Sequence, residues 1–170
     1  LYNDLLNNNR SRLKLKKVIE EIIADFDAIP INDSIKKPRV GVVGEILVKF
    51  HPDANNNIVE VIESEGGEAV MPGLADFMLY CLYNNNFKRD NLGMKASTAR
   101  LCNLAIAGIE SYRKHAEKLM RANPKFAYRA PGHIAEIAEG AKNVLQLGHC
   151  TGEGWFLTGE MIELINSGVP

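Results

Sequence analysis

Arg39-Val40-Gly41-Val42-Val43-Gly44-Glu45 is the stretch whose reading decides the fold. A short β-branched run that ends on glycine has the pattern of a buried parallel strand. Outward from it, Ile58, Val59, Val61 and Ile62 give a helix entered through Asn55-Asn56-Asn57, with asparagine suited to the N-cap, and Gly66-Gly67 closes it. Glu68-Ala69-Val70-Met71-Pro72 then reads as a second short strand. Strand, helix and strand within so short a span are the length of a βαβ unit, whose crossover is expected to be right-handed.

On the N-terminal side, Leu5, Leu13, Leu15, Val18, Ile19, Ile22, Ile23 and Phe26 fall near helical spacing, with Asn7-Asn8-Asn9 as an interruption. Pro30 to Pro38 is a polar, proline-bracketed connection. On the C-terminal side, helices are expected over Leu74 to Tyr83, Lys95 to Met120, Ile134 to Ala141 and Glu153 to Ser167. Val144-Leu145-Gln146-Leu147 reads equally as a helix end or a strand. The expected fold class is α/β, helix-rich, with an incomplete Rossmann-like parallel sheet flanked by helices. The expected division is 1–37, an N-terminal helix and linker, and 38–170, the α/β segment. Because the chain opens inside a helix pattern at Leu1 and closes at Ser167-Gly168-Val169-Pro170, where a further strand should follow, it is expected to be a segment cut from a larger protein, truncated at its C-terminus.

Composition narrows the function classes. The 170 residues with 46% apolar content suit one domain with a real core. Twenty basic against 21 acidic residues leave a net charge of -1, which favours neither a nucleic-acid nor a membrane surface. The local cluster Arg10, Arg12, Lys14, Lys16 and Lys17 alternates with apolar positions, as the solvated side of a helix does. No apolar run reaches the roughly 20 residues that cross a bilayer. Three scattered cysteines, Cys81, Cys102 and Cys150, fit neither a disulfide framework nor a metal knuckle, so the cytoplasm is the expected compartment.

Ligands of open α/β sheets bind outside the carboxyl ends of the strands. That rule points first to Gly44 through Pro52 and then to Asn55-Asn56-Asn57. Glu45, Lys49 and His51 offer a carboxylate, a cation and an acid/base group, and Asn56 lies where backbone N–H groups can hold an anion. The bland alternative makes Glu45 an acceptor for backbone N–H groups, His51 a surface residue and Asn55 only a cap. The second candidate is His149-Cys150-Thr151-Gly152-Glu153-Gly154-Trp155, where Gly152 and Gly154 allow close approach and Trp155 could stack on a planar ligand or simply fill the core. Cys150 beside His149 is the weak candidate for a metal ligand, with no further ligands near it in sequence. Cys81 and Cys102 read as small core residues. The pairs His115/Glu117 and His133/Glu136 read as solvated helix faces. The spacing matches neither GxGxxG nor a Walker A loop.

Two stretches carry a resemblance. Arg39-Val40-Gly41-Val42-Val43-Gly44-Glu45-Ile46-Leu47-Val48-Lys49-Phe50-His51-Pro52, continuing through Ala54-Asn55-Asn56-Asn57, resembles the signature of the 2-hydroxyglutaryl-CoA dehydratase D-component-like family. Gly152-Glu153-Gly154-Trp155-Phe156-Leu157-Thr158-Gly159-Glu160-Met161 is similar to a second stretch of that group. The resemblance covers about residues 38–170 and is nearest the dehydratase-like part of large CoA-substrate-specific enzyme activase proteins, in which a BadF/BcrA-type ATPase is joined to dehydratase-like sequence. It implies an anaerobic electron-transfer system: an ATP-driven activator with a [4Fe–4S] cluster reduces a dehydratase that removes water from a 2-hydroxyacyl-CoA through a ketyl radical. It also implies Rossmann-like lobes. Two departures stand out, since the chain has no cysteine set for a cluster and no ATP-binding motif.

The residues carried over as cleft positions are Glu45, Lys49, His51, Asn56, Gly152, Glu153 and Trp155, with no catalytic role assigned to any. No cofactor is expected in the chain itself; [4Fe–4S] and ATP belong to the parent protein. Expected partners are the parent's remaining domains and an acyl-CoA, with no nucleic acid and no membrane. Three functions follow. A supporting lobe of a dehydratase-like protein requires Glu45, His51 and Glu153 to converge on one cleft. A docking module between activator and target requires an exposed apolar patch with those residues dispersed. A stand-alone small-ligand domain requires a closed pocket within the chain.

Overall fold

The computed structural model describes residues 12–32 and 34–169. Leu5, Asn7 to Asn9, Arg10 and Pro170 lie outside them. Described residues fall into two compact units, one holding the chain up to Lys36 together with Glu110–Ala130, the other Lys37–Ile109 together with Pro131 onward.

The first unit contains helix α1, Arg12–Asp27. Val18 is its buried apolar anchor. Lys125 Nζ donates to the Asp27 carbonyl at 2.6 Å and lies 3.3 Å from the Asp27 carboxylate. His115, expected on a solvated face, has a ring nitrogen 2.9 Å from Glu20. Glu117 corrects the same expectation: it is buried, with its carboxylate accepting from Arg121 Nε at 2.9 Å. The i,i+4 spacing of these two residues folds the guanidinium back over the carboxylate and shields it.

The second unit carries the sheet. Strand β1 is Arg39–Gly41 and β2 is Glu68–Val70, paired parallel with Val40 opposite Ala69. Helices α2, Ile46–Phe50, and α3, Ile58–Ser64, form the crossover between them. Helix-rich α/β with a two-stranded parallel sheet is therefore the architecture of the described residues. Both strands are shorter than their apolar runs. Val42 adds one more ladder bond, its N–H donating to Val70 at 2.8 Å, after which the chain turns away. β1 is half-buried rather than buried, as a strand with one hydrogen-bonded neighbour leaves its other edge open.

Four elements make the core beside the sheet: α4, Leu74–Asn91; the first part of α5, Ala96–Ala122; α6, Ile134–Lys142; and α7, Gly154–Asn166. On α6, Ile134, Ile137, Ala138 and Ala141 recur at helical spacing and are all buried. They meet α7 where Gly159 sits against Ile137; a Cβ there would stand 2.5 Å from Ile137 Cγ2, so only glycine permits the approach. Trp155, Phe156, Leu79, Tyr80 and Ile106 complete this core. Tyr80 lies 4.9 Å from the Phe156 ring and 5.1 Å from that of Trp155, within the range of favourable aromatic pairs.

α4 runs past the polar Asn84-Asn85-Asn86 that reads as a turn. Asparagine usually breaks helices by competing for backbone groups. Here Asn84 is buried and accepts the indole N–H of Trp155 at 2.7 Å, while Asn85 donates back to the Leu82 carbonyl at 2.9 Å. Cys81 lies on the exposed side of this helix instead of in the core, and Cys102 is half-buried. Val144 to Leu147 continue α6 as turns, with Val144 and Leu145 both donating to the Ala141 carbonyl. Among the described residues no helix is long and apolar enough to cross a membrane.

Candidate functional site

The carboxyl end of β1 leads directly into α2, and that of β2 into α4. α2 is only five residues long and rich in β-branched and apolar side chains, so local propensity does not account for it. Capping and tertiary contacts do. The Glu45 carboxylate accepts from Leu47 N at 3.0 Å and Val48 N at 3.2 Å, and Glu153 accepts from Ile46 N at 3.2 Å. All three first N–H groups of the helix are thus taken by the protein's own carboxylates, which also suit the positive end of the helix dipole.

The other end of α2 is anchored by Lys49. Its side chain is 1% exposed, and its ammonium lies 2.9 and 3.0 Å from the two oxygens of Glu160, equally buried on α7. The ammonium also stands 5.8 Å from the Phe156 ring centroid. Asn55 closes the turn after α2, donating to the carbonyls of Val48 and Lys49 at 3.0 Å and accepting from Ile58 N at 3.2 Å. The expected cap thus acts from two residues before the true N-cap position, Asn57. Asn56 and Asn57 both take left-handed backbone, a conformation asparagine tolerates better than most residues.

Four buried ionisable side chains gather beyond the two strand ends: Lys49 from α2, Asp76 from the first turn of α4, Glu153 and Glu160. Burial pushes Glu160 from the ordinary 4.5 up to about 7; the Lys49 hydrogen bond and charge oppose this, and the charges of Asp76 and Glu153 add to it. Glu153 is pushed upward as well, first by burial and then by Glu45, against the Ile46 N–H and Lys49. Glu153 holds this position with φ of 58°, directly after Gly152 at 63°. Two consecutive left-handed residues turn the chain into α7, and a non-glycine residue so placed carries a conformational cost of about 1–2 kcal/mol.

The sequence-derived candidates separate into three groups. Glu45, Lys49 and Glu153 come together around α2. His51, Asn56 and Gly152 are exposed, and His51 stands at the far end of α2 from Glu45. Trp155 is fully buried among Tyr80, Tyr83 and Phe156, so stacking on a ligand would require it to leave this core. Cys150 packs against the core and its carbonyl accepts from the Tyr80 hydroxyl. Among the described residues no three His, Cys, Asp or Glu side chains are grouped to hold a metal ion. Glu160 and Asp76 are the members that sequence reasoning missed. Both fall at i,i+4 positions of an apolar face, Glu160 between Phe156 and Leu164 and Asp76 four residues before Tyr80, and that spacing was the available signal.

No family model, curated protein or solved structure matches this chain.

Proposed function

We propose that the chain is a supporting lobe of a 2-hydroxyacyl-CoA dehydratase/activase-like protein, one that shapes the wall of an acyl-CoA or iron–sulfur cleft and is not active by itself. The observation that carries this reading is the junction of the two motif stretches, which brings together Glu45 and Glu153 of the three residues expected to converge, while His51 lies exposed at the far end of α2. They are more than 100 residues apart in sequence. The Glu153–Ile46 bond at 3.2 Å and the Lys49–Glu160 pair at 2.9 Å join them at the strand carboxyl ends, where α/β sheets place ligands. The half-exposed rim of that junction, Glu45 and Gly44 with the exposed Gly152, is the surface offered to the cleft. The Rossmann-like reading of the fold belongs to the same proposal, with β1 and β2 as neighbours in a larger parallel sheet. The [4Fe–4S] cluster, ATP and the remaining domains belong to the parent protein, in the cytoplasm.

A docking module between activator and target is favoured by a different observation. Leu47, Val48 and Phe50 are exposed on α2, with Leu47 at 64%, and single apolar side chains are common on surfaces but three on one short helix are not. Anaerobic iron–sulfur reconstitution of the chain and of its parent, with iron counted and spectra recorded, tests the primary reading. A cluster in the parent and none in the chain supports the supporting lobe. A stoichiometric cluster in the chain alone overturns it, and no cluster in either turns the choice to the docking module.

A further inference from the structure

The crossover between the two strands carries more negative charge than its own stability calls for. From Gly44 to Glu65 the chain holds Glu45, Asp53, Glu60, Glu63 and Glu65 against one cation, Lys49. The Lys49 ammonium is turned inward to Glu160, so apart from His51 no basic side chain lies on the outer surface of this stretch. Asp53, Glu60, Glu63 and Glu65 are all exposed, and none has an ion-pair partner among the described residues. Glu60 in the first turn of α3 suits the helix dipole. Glu63 in the last turn and Glu65 at the C-cap oppose it, with no basic residue in that turn. Glu60 and Glu63, at i,i+3 spacing, also repel each other.

The same corner exposes apolar side chains. Leu47, Val48 and Phe50 on α2 and Val61 on α3 are each 40% exposed or more. The corner itself is fixed. Asn55 donates to the Val48 and Lys49 carbonyls at the end of α2 and accepts from Ile58 N at the start of α3. Asn57 N donates to the Pro52 carbonyl at 2.9 Å, and the Lys49–Glu160 pair holds α2 from behind. Apolar anchors and carboxylates without partners thus stand on one preformed surface, the combination that protein interfaces use.

We infer that the α2–α3 corner is a docking surface for a basic amphipathic segment of another protein. Its apolar side chains would lie on Leu47, Val48, Phe50 and Val61, and its Lys or Arg side chains against Asp53, Glu60, Glu63 and Glu65. Charge complementarity selects this occupant. Two copies meeting corner to corner set the same carboxylates against each other. An anionic lipid surface is repelled for the same reason. Docking of this kind deepens the second reading of α2 given above and rests on it; the acyl-CoA cleft does not depend on it.

NMR titration of the chain with a synthetic amphipathic Leu/Lys helix tests the surface, with oligolysine and a Leu/Glu helix of the same apolar spacing as controls. Saturable amide shifts are expected at residues 46–50 and 58–65, while α6 amides stay level. Raising the salt from about 0.05 to about 0.5 M should weaken binding about tenfold. Glu60→Gln/Glu63→Gln is expected to weaken it about threefold to thirtyfold, the range of two exposed ion pairs. The same double variant relieves a repulsion, so its urea midpoint should be unchanged or higher, which separates lost binding from lost folding. Both control peptides are expected to bind much more weakly. Equal binding of oligolysine, shifts centred elsewhere, insensitivity to the double variant, or no saturable binding at millimolar peptide overturns the docking surface. Corner shifts that grow with the chain's own concentration, making the occupant a second copy, or that appear with phosphatidylserine vesicles, overturn it as well. Such a failure leaves the docking reading to the iron–sulfur reconstitution and the cleft to thioester binding, neither of which uses Glu60 or Glu63.

Discussion

Replacing Lys49 by methionine isolates the buried pair. Methionine fills most of the lysine stem, so the loss is concentrated in the ammonium and its contacts at 2.9 and 3.0 Å to Glu160. Removing one partner of a buried pair costs about 3–5 kcal/mol when the other is left charged. Glu160 escapes part of that by protonating, since it already ionises only at about 7 with the ammonium in place. The expected loss is therefore about 3 kcal/mol at pH 8. At pH 5, where Glu160 is protonated in both proteins, it shrinks to the charge-assisted hydrogen bonds, about 1.5–2 kcal/mol. Trp155, the single tryptophan, fully buried and on the same helix as Glu160, reports the transition by fluorescence. With a urea slope of about 2 kcal/mol/M the midpoint falls by about 1.5 M at pH 8 and by less at pH 5. The double variant Lys49→Met/Glu160→Leu is expected to recover most of the loss, because two apolar side chains replace a pair whose desolvation nearly cancels its attraction. A loss below about 1 kcal/mol at both pH values, or a double variant weaker than the single one, refutes the reasoning.

Three further outcomes follow from the packing. Asn84→Ala leaves the buried Trp155 indole N–H without its 2.7 Å acceptor, and urea unfolding should show about 1–3 kcal/mol lost. Gly159→Ala drives a methyl into Ile137 and should lose about 1–3 kcal/mol in the same assay, whereas Gly108→Ala, with open space around it on exposed helix, should gain about 0.5–1 kcal/mol. Glu45→Ala removes the acceptor for Leu47 and Val48 N–H and should lower exchange protection across α2, equivalent to about 0.5–2 kcal/mol, with α6 unaffected.

The parts of the fold that were legible in the sequence are those governed by long periodic patterns. The order of β1, the crossover, β2 and the later helices follows from the apolar runs and the glycines between them, and α7 ends within a residue or so of its expected limits. α2 was not legible, because Ile46-Leu47-Val48 has strand-like side chains and its helix exists only through Glu45, Glu153 and Lys49. The same limitation hid the length of α4, where Asn84 is satisfied by an indole far along the chain. In the candidate site, Glu45, Lys49 and Glu153 were visible as polar residues near strand ends and a glycine-rich turn. Their mutual geometry was not, because it depends on Glu160 and Asp76, which come from separate helices and lie far from Lys49 along the chain. Trp155 could be read both ways, and packing placed it in the core.

The central proposal makes the surface around Gly44, Glu45 and Gly152 part of an acyl-CoA or iron–sulfur cleft, and the acyl-CoA form of it is open to a direct test. Amide chemical-shift mapping of the chain with a 2-hydroxyacyl-CoA thioester tests it most directly. The account predicts saturable shifts confined to residues 44–48 and 151–154. Shifts centred on the exposed apolar residues of other helices, or none at millimolar thioester, would contradict it.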